Sequence, residues 1–115
     1  MRYAAPFKMN KEDSAITKVF GKAKYFGIYD DTTNKIEVIE NKNPGGPAIF
    51  EQLKEKNVDI ILTPHAGPGA VRGSLAYNMP LYYCGDERKL LLEAVKEFQE
   101  GKYIQITPEN FHQFH

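Results

Sequence analysis

The chain has no tryptophan, one cysteine and three histidines among 115 residues. A single cysteine excludes an internal disulfide framework and suits a reducing compartment, so the expected location is cytoplasmic. No spaced cluster of cysteine and histidine is present, as a closed structural zinc site would need. No apolar run approaches the length of a membrane span, and no basic start followed by an apolar stretch marks a signal peptide. Neither sign of charge is in excess, because Lys plus Arg and Asp plus Glu each count 15. A dedicated nucleic-acid binder carries a basic surplus, so neither nucleic acid nor membrane is an expected partner. Low-complexity segments and internal repeats are also missing. The length fits one domain with a core of its own.

The most informative segment that is present runs from Val58 to Val71. Ile60, Ile61 and Leu62 form a continuous apolar run, as expected of a parallel strand covered on both faces. Gly67 and Gly69 permit a sharp turn and close approach of a guest. Pro68 suits the first position of a helix, where its missing N–H costs nothing. A helix N-terminus is thereby placed at the carboxyl end of a strand, the edge at which open α/β sheets bind anionic ligands. His65 stands at the rim of that turn.

The remaining chain divides readily. Residues 2–7 read as a first strand ended by Pro6, and residues 9–18 as a polar loop. Residues 24–40 make an antiparallel hairpin, with Tyr25, Phe26, Ile28 and Tyr29 before the turn Asp31-Thr32-Thr33-Asn34 and Ile36, Val38 and Ile39 after it. Pro47 opens a helix with Ile49, Phe50 and Leu53 on one face, and Asn57 is a left-handed terminator. After the strand at 58–63, a second helix places Ala70, Val71, Ser74 and Leu75 on one face and stops at Asn78. Residues 80–84 form the next strand. Asp86 is the expected cap of a last helix carrying Leu90, Leu91, Ala94, Val95 and Phe98, ended by Gly101. Tyr103-Ile104-Gln105-Ile106 is a candidate for a short additional edge strand. The expectation is a single α/β domain over residues 1–107, a mixed five-stranded sheet with helices on both faces, and a loose tail at 108–115. The strands at 58–63 and 80–84 should be adjacent and parallel, joined by a right-handed crossover.

This order, with Phe20-Gly21-Lys22-Ala23-Lys24-Tyr25-Phe26, Val58-Asp59-Ile60-Ile61, Gly67-Pro68-Gly69-Ala70 and the closing Phe98-Gln99-Glu100-Gly101, resembles the dinitrogenase iron–molybdenum cofactor biosynthesis family, the NifX-like small domains. The first segment is similar to the family's "HFGRAxYF" and the second and third to its "VDVVI…GIGPGA". The resemblance covers roughly residues 2 to 101 and implies a ribonuclease H-like fold. It also implies binding or carriage of an iron–sulfur or iron–molybdenum cluster precursor, without catalysis, with a cluster-donating or cluster-accepting protein as partner. The expected state is a monomer or weak homodimer. The sequence departs from the family pattern at Val19, where a histidine often precedes the Phe-Gly pair, and in Asn43-Pro44-Gly45-Gly46-Pro47, which lacks the histidine often found before the first helix.

These departures direct attention to other ligands. His65 and Cys84 each stand at a strand end beside a glycine, and imidazole and thiolate suit iron–sulfur or zinc ligation. They are the expected metal ligands, with Phe20, Gly21, Gly67, Gly69 and Ala70 as further cluster-binding positions. The plainer readings are a loop histidine bonded to a carbonyl and a buried small hydrophobe. Lys18, Lys22 and Lys24 flank the Phe20-Gly21 turn and are placed to steer an anion. His112 and His115 share an i, i+3 spacing in the tail, which more commonly marks a solvated pair. Gly67-Pro68-Gly69 is not a dinucleotide fingerprint, because Arg72 stands where the third glycine belongs. Residues 2–7 carry no acid, which argues against two-metal nuclease chemistry. Nor is there a Ser-His-Asp order with a nucleophile elbow. The alternative to cluster carriage is a regulatory or scaffold domain of the same fold that acts by protein contact.

Overall fold

The computed structural model describes residues 1–45 and 47–114. Its elements follow in the order β1 (Arg2–Phe7), β2 (Tyr25–Asp30), β3 (Lys35–Glu40), α1 (Ala48–Glu55), β4 (Ile60–Thr63), α2 (Pro68–Ala76), β5 (Leu81–Tyr83), α3 (Leu91–Gln99) and β6 (Ile104–Ile106), with a 3-10 turn at Phe111–Gln113. The strands form one sheet in the order β3-β2-β1-β4-β5-β6. β1 pairs antiparallel with β2 and parallel with β4, and β4 pairs parallel with β5 at Ile61↔Leu81 and Thr63↔Tyr83. The expected parallel neighbours and their crossover are therefore present.

The sheet has six strands rather than five, because Ile104–Ile106 pairs antiparallel with β5 along its whole length. β1 also continues through Pro6 to Phe7 instead of stopping at the proline. β4 pairs only with Tyr3 and Ala4, so no ladder on that side needs the N–H that Pro6 lacks.

Strand alternation divides the core between two faces. Ala4, Phe26, Ile28 and Ile61 pack with Ile49, Phe50 and Leu53 of α1 and Val71 of α2. Tyr3, Ala5, Phe7, Ile60 and Leu62 pack with Leu91, Ala94 and Val95 of α3. Helices thus cover both faces. Pro47 and Gly67 are the N-caps of α1 and α2, with Pro68 at the first turn of the latter. Asn57 and Asn78 follow these helices with φ of 59° and 51°, the left-handed conformation that asparagine tolerates best after glycine.

Three local expectations fail for identifiable reasons. Asp86 does not cap α3. The Lys89 carbonyl accepts the Ile16 amide, which ties the segment before the helix to the 8–18 loop, and the helix starts only where Glu93 accepts the Leu90 amide at 2.8 Å. Leu75 lies 64% exposed on α2, while Val71 and Ser74 of that face are buried and Ala70 packs against the core. The expected loose tail is packed as far as it is described. Phe111 and Phe114 lie against the α1–α2 core, and Asn110 Oδ1 accepts the Thr107 amide at 2.7 Å. His112 is exposed, and its suggested partner His115 lies outside the described residues.

Candidate cluster-binding cleft

Beyond the carboxyl end of β4, a cleft of about 860 Å³ opens between the Lys18–Lys22 loop, the start of α1 and the first two turns of α2. Phe20, Ile49, Phe50 and Tyr77 form its apolar lining. The rings support one another: Phe20 and Phe50 lie 5.7 Å apart, and Phe50 stacks on Tyr77 at 6.0 Å. The Phe20-Gly21 turn is fixed from below by buried Asn41, whose Nδ2 donates to the Ala23 carbonyl at 3.0 Å, and by the Gly45 amide, which donates to the Gly21 carbonyl at 2.6 Å.

The charged groups on the cleft are Lys18, Lys22 and Arg72, and no carboxylate side chain lines it among the described residues. In a chain of zero net charge this is a local asymmetry. An apolar floor of low dielectric strengthens the attraction of such a rim for an anion. A second groove, between the 8–18 loop and residues 86–88, is of similar size but carries Asp13, Asp86 and Glu87 beside Lys8, Lys11, Lys18 and Arg88. Its charges largely cancel.

The glycines of the cleft differ in why they are glycine. A β-carbon at Gly73 would sit 2.3 Å from the Phe50 ring, and Gly45 has φ of +90°, so each answers a need of the chain itself. Gly21, Gly67 and Gly69 have neither reason. Their β-carbons would meet nothing within 4 Å, and their φ angles are not left-handed. All three line the cleft.

His65 reaches the cleft with its side chain 36% exposed. Its carbonyl accepts the hydroxyl of buried Thr63 at 2.8 Å, and its Nε2 lies 3.4 Å from Asp86 Oδ1. Asp86 Oδ2 in turn accepts the Tyr83 hydroxyl at 2.8 Å, the main cause of the raised Tyr83 pKa. Phe20, Gly21, His65, Gly67, Gly69 and Ala70 thus come together on one cleft, while Cys84 does not join them. Cys84 is 1% exposed in the core on the α3 side, and desolvation pushes its thiol pKa up to about 12. A neutral buried thiol is a poor metal ligand, because the thiolate is the ligating form. Lys18 and Lys22 reach the rim and Lys24 does not. Arg72, Phe50 and Tyr77 are the contributors that sequence reasoning missed. The amphipathic pattern of α1 reveals Phe50 as core but cannot reveal that its ring also faces an opening.

The chain belongs to the family described as dinitrogenase iron-molybdenum cofactor, whose sequence profile matches residues 1–101. Its fold is similar to the NMR structure of a Thermotoga protein named "putative NifB protein", with 28% identity, a TM-score of 0.76, and 92% of this chain and 93% of that chain covered. It is also similar to the apo form of the orange protein from Desulfovibrio gigas, with 22% identity, a TM-score of 0.75, and 90% of each chain covered. No curated protein gave a significant match to the sequence. No helix among the described residues is long and apolar enough to cross a membrane.

Proposed function

We propose that this protein is a non-catalytic carrier that holds an anionic iron–sulfur or iron–molybdenum cluster precursor in the cleft and exchanges it with a cluster-donating or cluster-accepting protein in the cytoplasm. The observation that carries this reading is the cleft wall. Gly21, Gly67 and Gly69 leave space that the chain does not itself require, beneath a rim whose charges, among the described residues, are those of Lys18, Lys22 and Arg72. Membership of a nitrogenase-cofactor family supports the class of cargo. The mixed sheet with helices on both faces supports the ribonuclease H-like assignment of the fold.

The donor set favours carriage over assembly. Among the described residues there is no group of three or more His, Cys, Asp or Glu side chains that could hold a metal ion. Among the described residues His65 is the one imidazole on the cleft. A cargo held here therefore keeps most of its inner coordination as its own sulfides, exogenous thiols or partner ligands, and His65 supplies one further bond. The first-turn N–H groups of α2 after Pro68 and the cationic rim contribute outer contacts to negative charge.

One observation favours the alternative of a scaffold acting by protein contact. Val19, on the cleft edge, is 49% exposed and offers an apolar contact where an imidazole would offer a ligand. Anaerobic reconstitution with iron and sulfide, followed by metal analysis and visible spectroscopy, separates the two. Carriage predicts a coloured protein whose bound iron falls when His65 is replaced by alanine. A colourless, iron-free protein selects the scaffold.

A further inference from the structure

The residues after the family match reach back to the turn that carries His65. Beyond position 101, β6 adds to the sheet edge. The following segment is held by Asn110, whose Nδ2 donates to the Gln105 carbonyl at 3.0 Å, and then turns at Phe111–Gln113. At Phe114 it meets the turn that carries His65. The Ala66 amide donates to the Phe114 carbonyl at 2.8 Å, and the Phe114 ring lies 4.6 Å from that of Tyr83.

We infer that Phe114 is a positioning residue for the cargo cleft, setting the His65–Gly67 turn from behind through its carbonyl and its ring. The inference rests on the carrier reading for its consequence, but its geometry stands alone. Two separate routes lead from Phe114 to His65. One passes through the backbone, because Ala66 is the residue between His65 and the N-cap Gly67. The other passes through Tyr83, whose hydroxyl donates to Asp86, the carboxylate facing His65 Nε2. Together they close a circuit of contacts around the turn. Thr63 Oγ1 fixes the same turn from the strand side. If the Phe114 contacts open, the Ala66 amide loses its partner and the turn depends more heavily on the Thr63 bond.

The test begins with the full-length protein without cargo. In Phe114→Ala, hydrogen exchange at the Ala66 amide should quicken by about tenfold and the His65 ring resonances should shift, while Ile61 and Leu62 amides in β4 keep their rates. Phe114→Leu, which keeps an apolar anchor, should restore most of the protection. Acceleration spread equally over Ile61, Leu62 and Ala66 would show a general stability role and overturn the inference, as would an unchanged Ala66. Tetrathiomolybdate, a small anion carrying metal and sulfide, is the probe for the second arm. Its loss from Phe114→Ala should be about tenfold faster than from the parent, as expected when a loosened turn acts on the dissociation rate. Equal loss rates from both proteins would also overturn the inference. If the parent fails to bind the probe while Ala66 alone opens in the variant, the positioning role stands and the carrier reading fails.

Discussion

Gly73 of α2 faces Phe50 of α1 so closely that a β-carbon would stand 2.3 Å from the ring. The same ring lines the cleft, so this contact sets how near the two helices approach and how deep the cleft is. Gly73→Ala should overpack the junction and cost about 2 kcal/mol after partial relaxation. Chemical denaturation would measure the loss. An unchanged midpoint would mean that Phe50 moves aside freely.

Gly69→Ala should behave in the opposite way, although both glycines lie on the same helix. Its β-carbon meets open space, and alanine is the better helix former, so stability should rise by about 0.5 kcal/mol. Tetrathiomolybdate affinity should fall by about tenfold, equivalent to about 1.4 kcal/mol. A variant both more stable and equally able to bind would show that the space is not used.

The cationic rim should reveal itself through ionic strength. Lys22→Gln combined with Arg72→Gln should slow association with the anionic probe by about tenfold in dilute buffer, and the difference should shrink as salt screens the rim. Stopped-flow mixing at several salt concentrations reads the effect. Dissociation should change less than association. Salt-independent loss of binding would point to direct contacts instead.

Cys84 should contribute to alkaline lability and not to cargo binding. Its folded pKa of about 12 lies above the ordinary value of 9.0, so the stability due to the neutral thiol is complete below about pH 9. That contribution is lost as pH rises toward 12, at up to about 1.4 kcal/mol per pH unit. Melting temperatures between pH 9 and 10 should fall less steeply in Cys84→Ala. The native thiol should resist alkylation, and the variant should bind tetrathiomolybdate like the parent. Loss of binding in Cys84→Ala with an intact fold would restore the thiol as a ligand.

Much of this fold was legible because its signals are local. The run Ile60-Ile61-Leu62 followed by Gly67-Pro68-Gly69 announces a buried strand and a helix start, and the parallel pair β4–β5 follows from the crossover. Cys84 was misread because two residues at neighbouring strand ends share an edge without sharing a face. His65 lies past the end of β4 in a turn that bends toward α1, whereas Cys84 points into the α3 side. Asp86 looked like a cap because helical spacing extends back to Leu90, but the bond between Ile16 and Lys89 delays the helix. Arg72 gave no signal, since a basic residue on an exposed helix position looks the same whether it faces a cleft or bulk water. The packing of Phe114 was equally hidden, because short polar tails with occasional aromatics have no periodicity to read.

The position of β1 in the sheet has a consequence for how the molecule comes into being. β1 is first in the chain but lies in the interior of the sheet, between β2 and β4. Its pairing with β2 spans a modest chain separation, whereas the bond from the Asp59 amide to the Arg2 carbonyl joins distant parts of the chain. Such non-local parallel pairing is the slow part of folding. The Phe20-Gly21 side of the cleft comes before Asp59 in the chain and the His65–Ala70 side after it. The two sides of the cleft come from different halves of the chain, so the cleft exists only once that long-range pairing has formed.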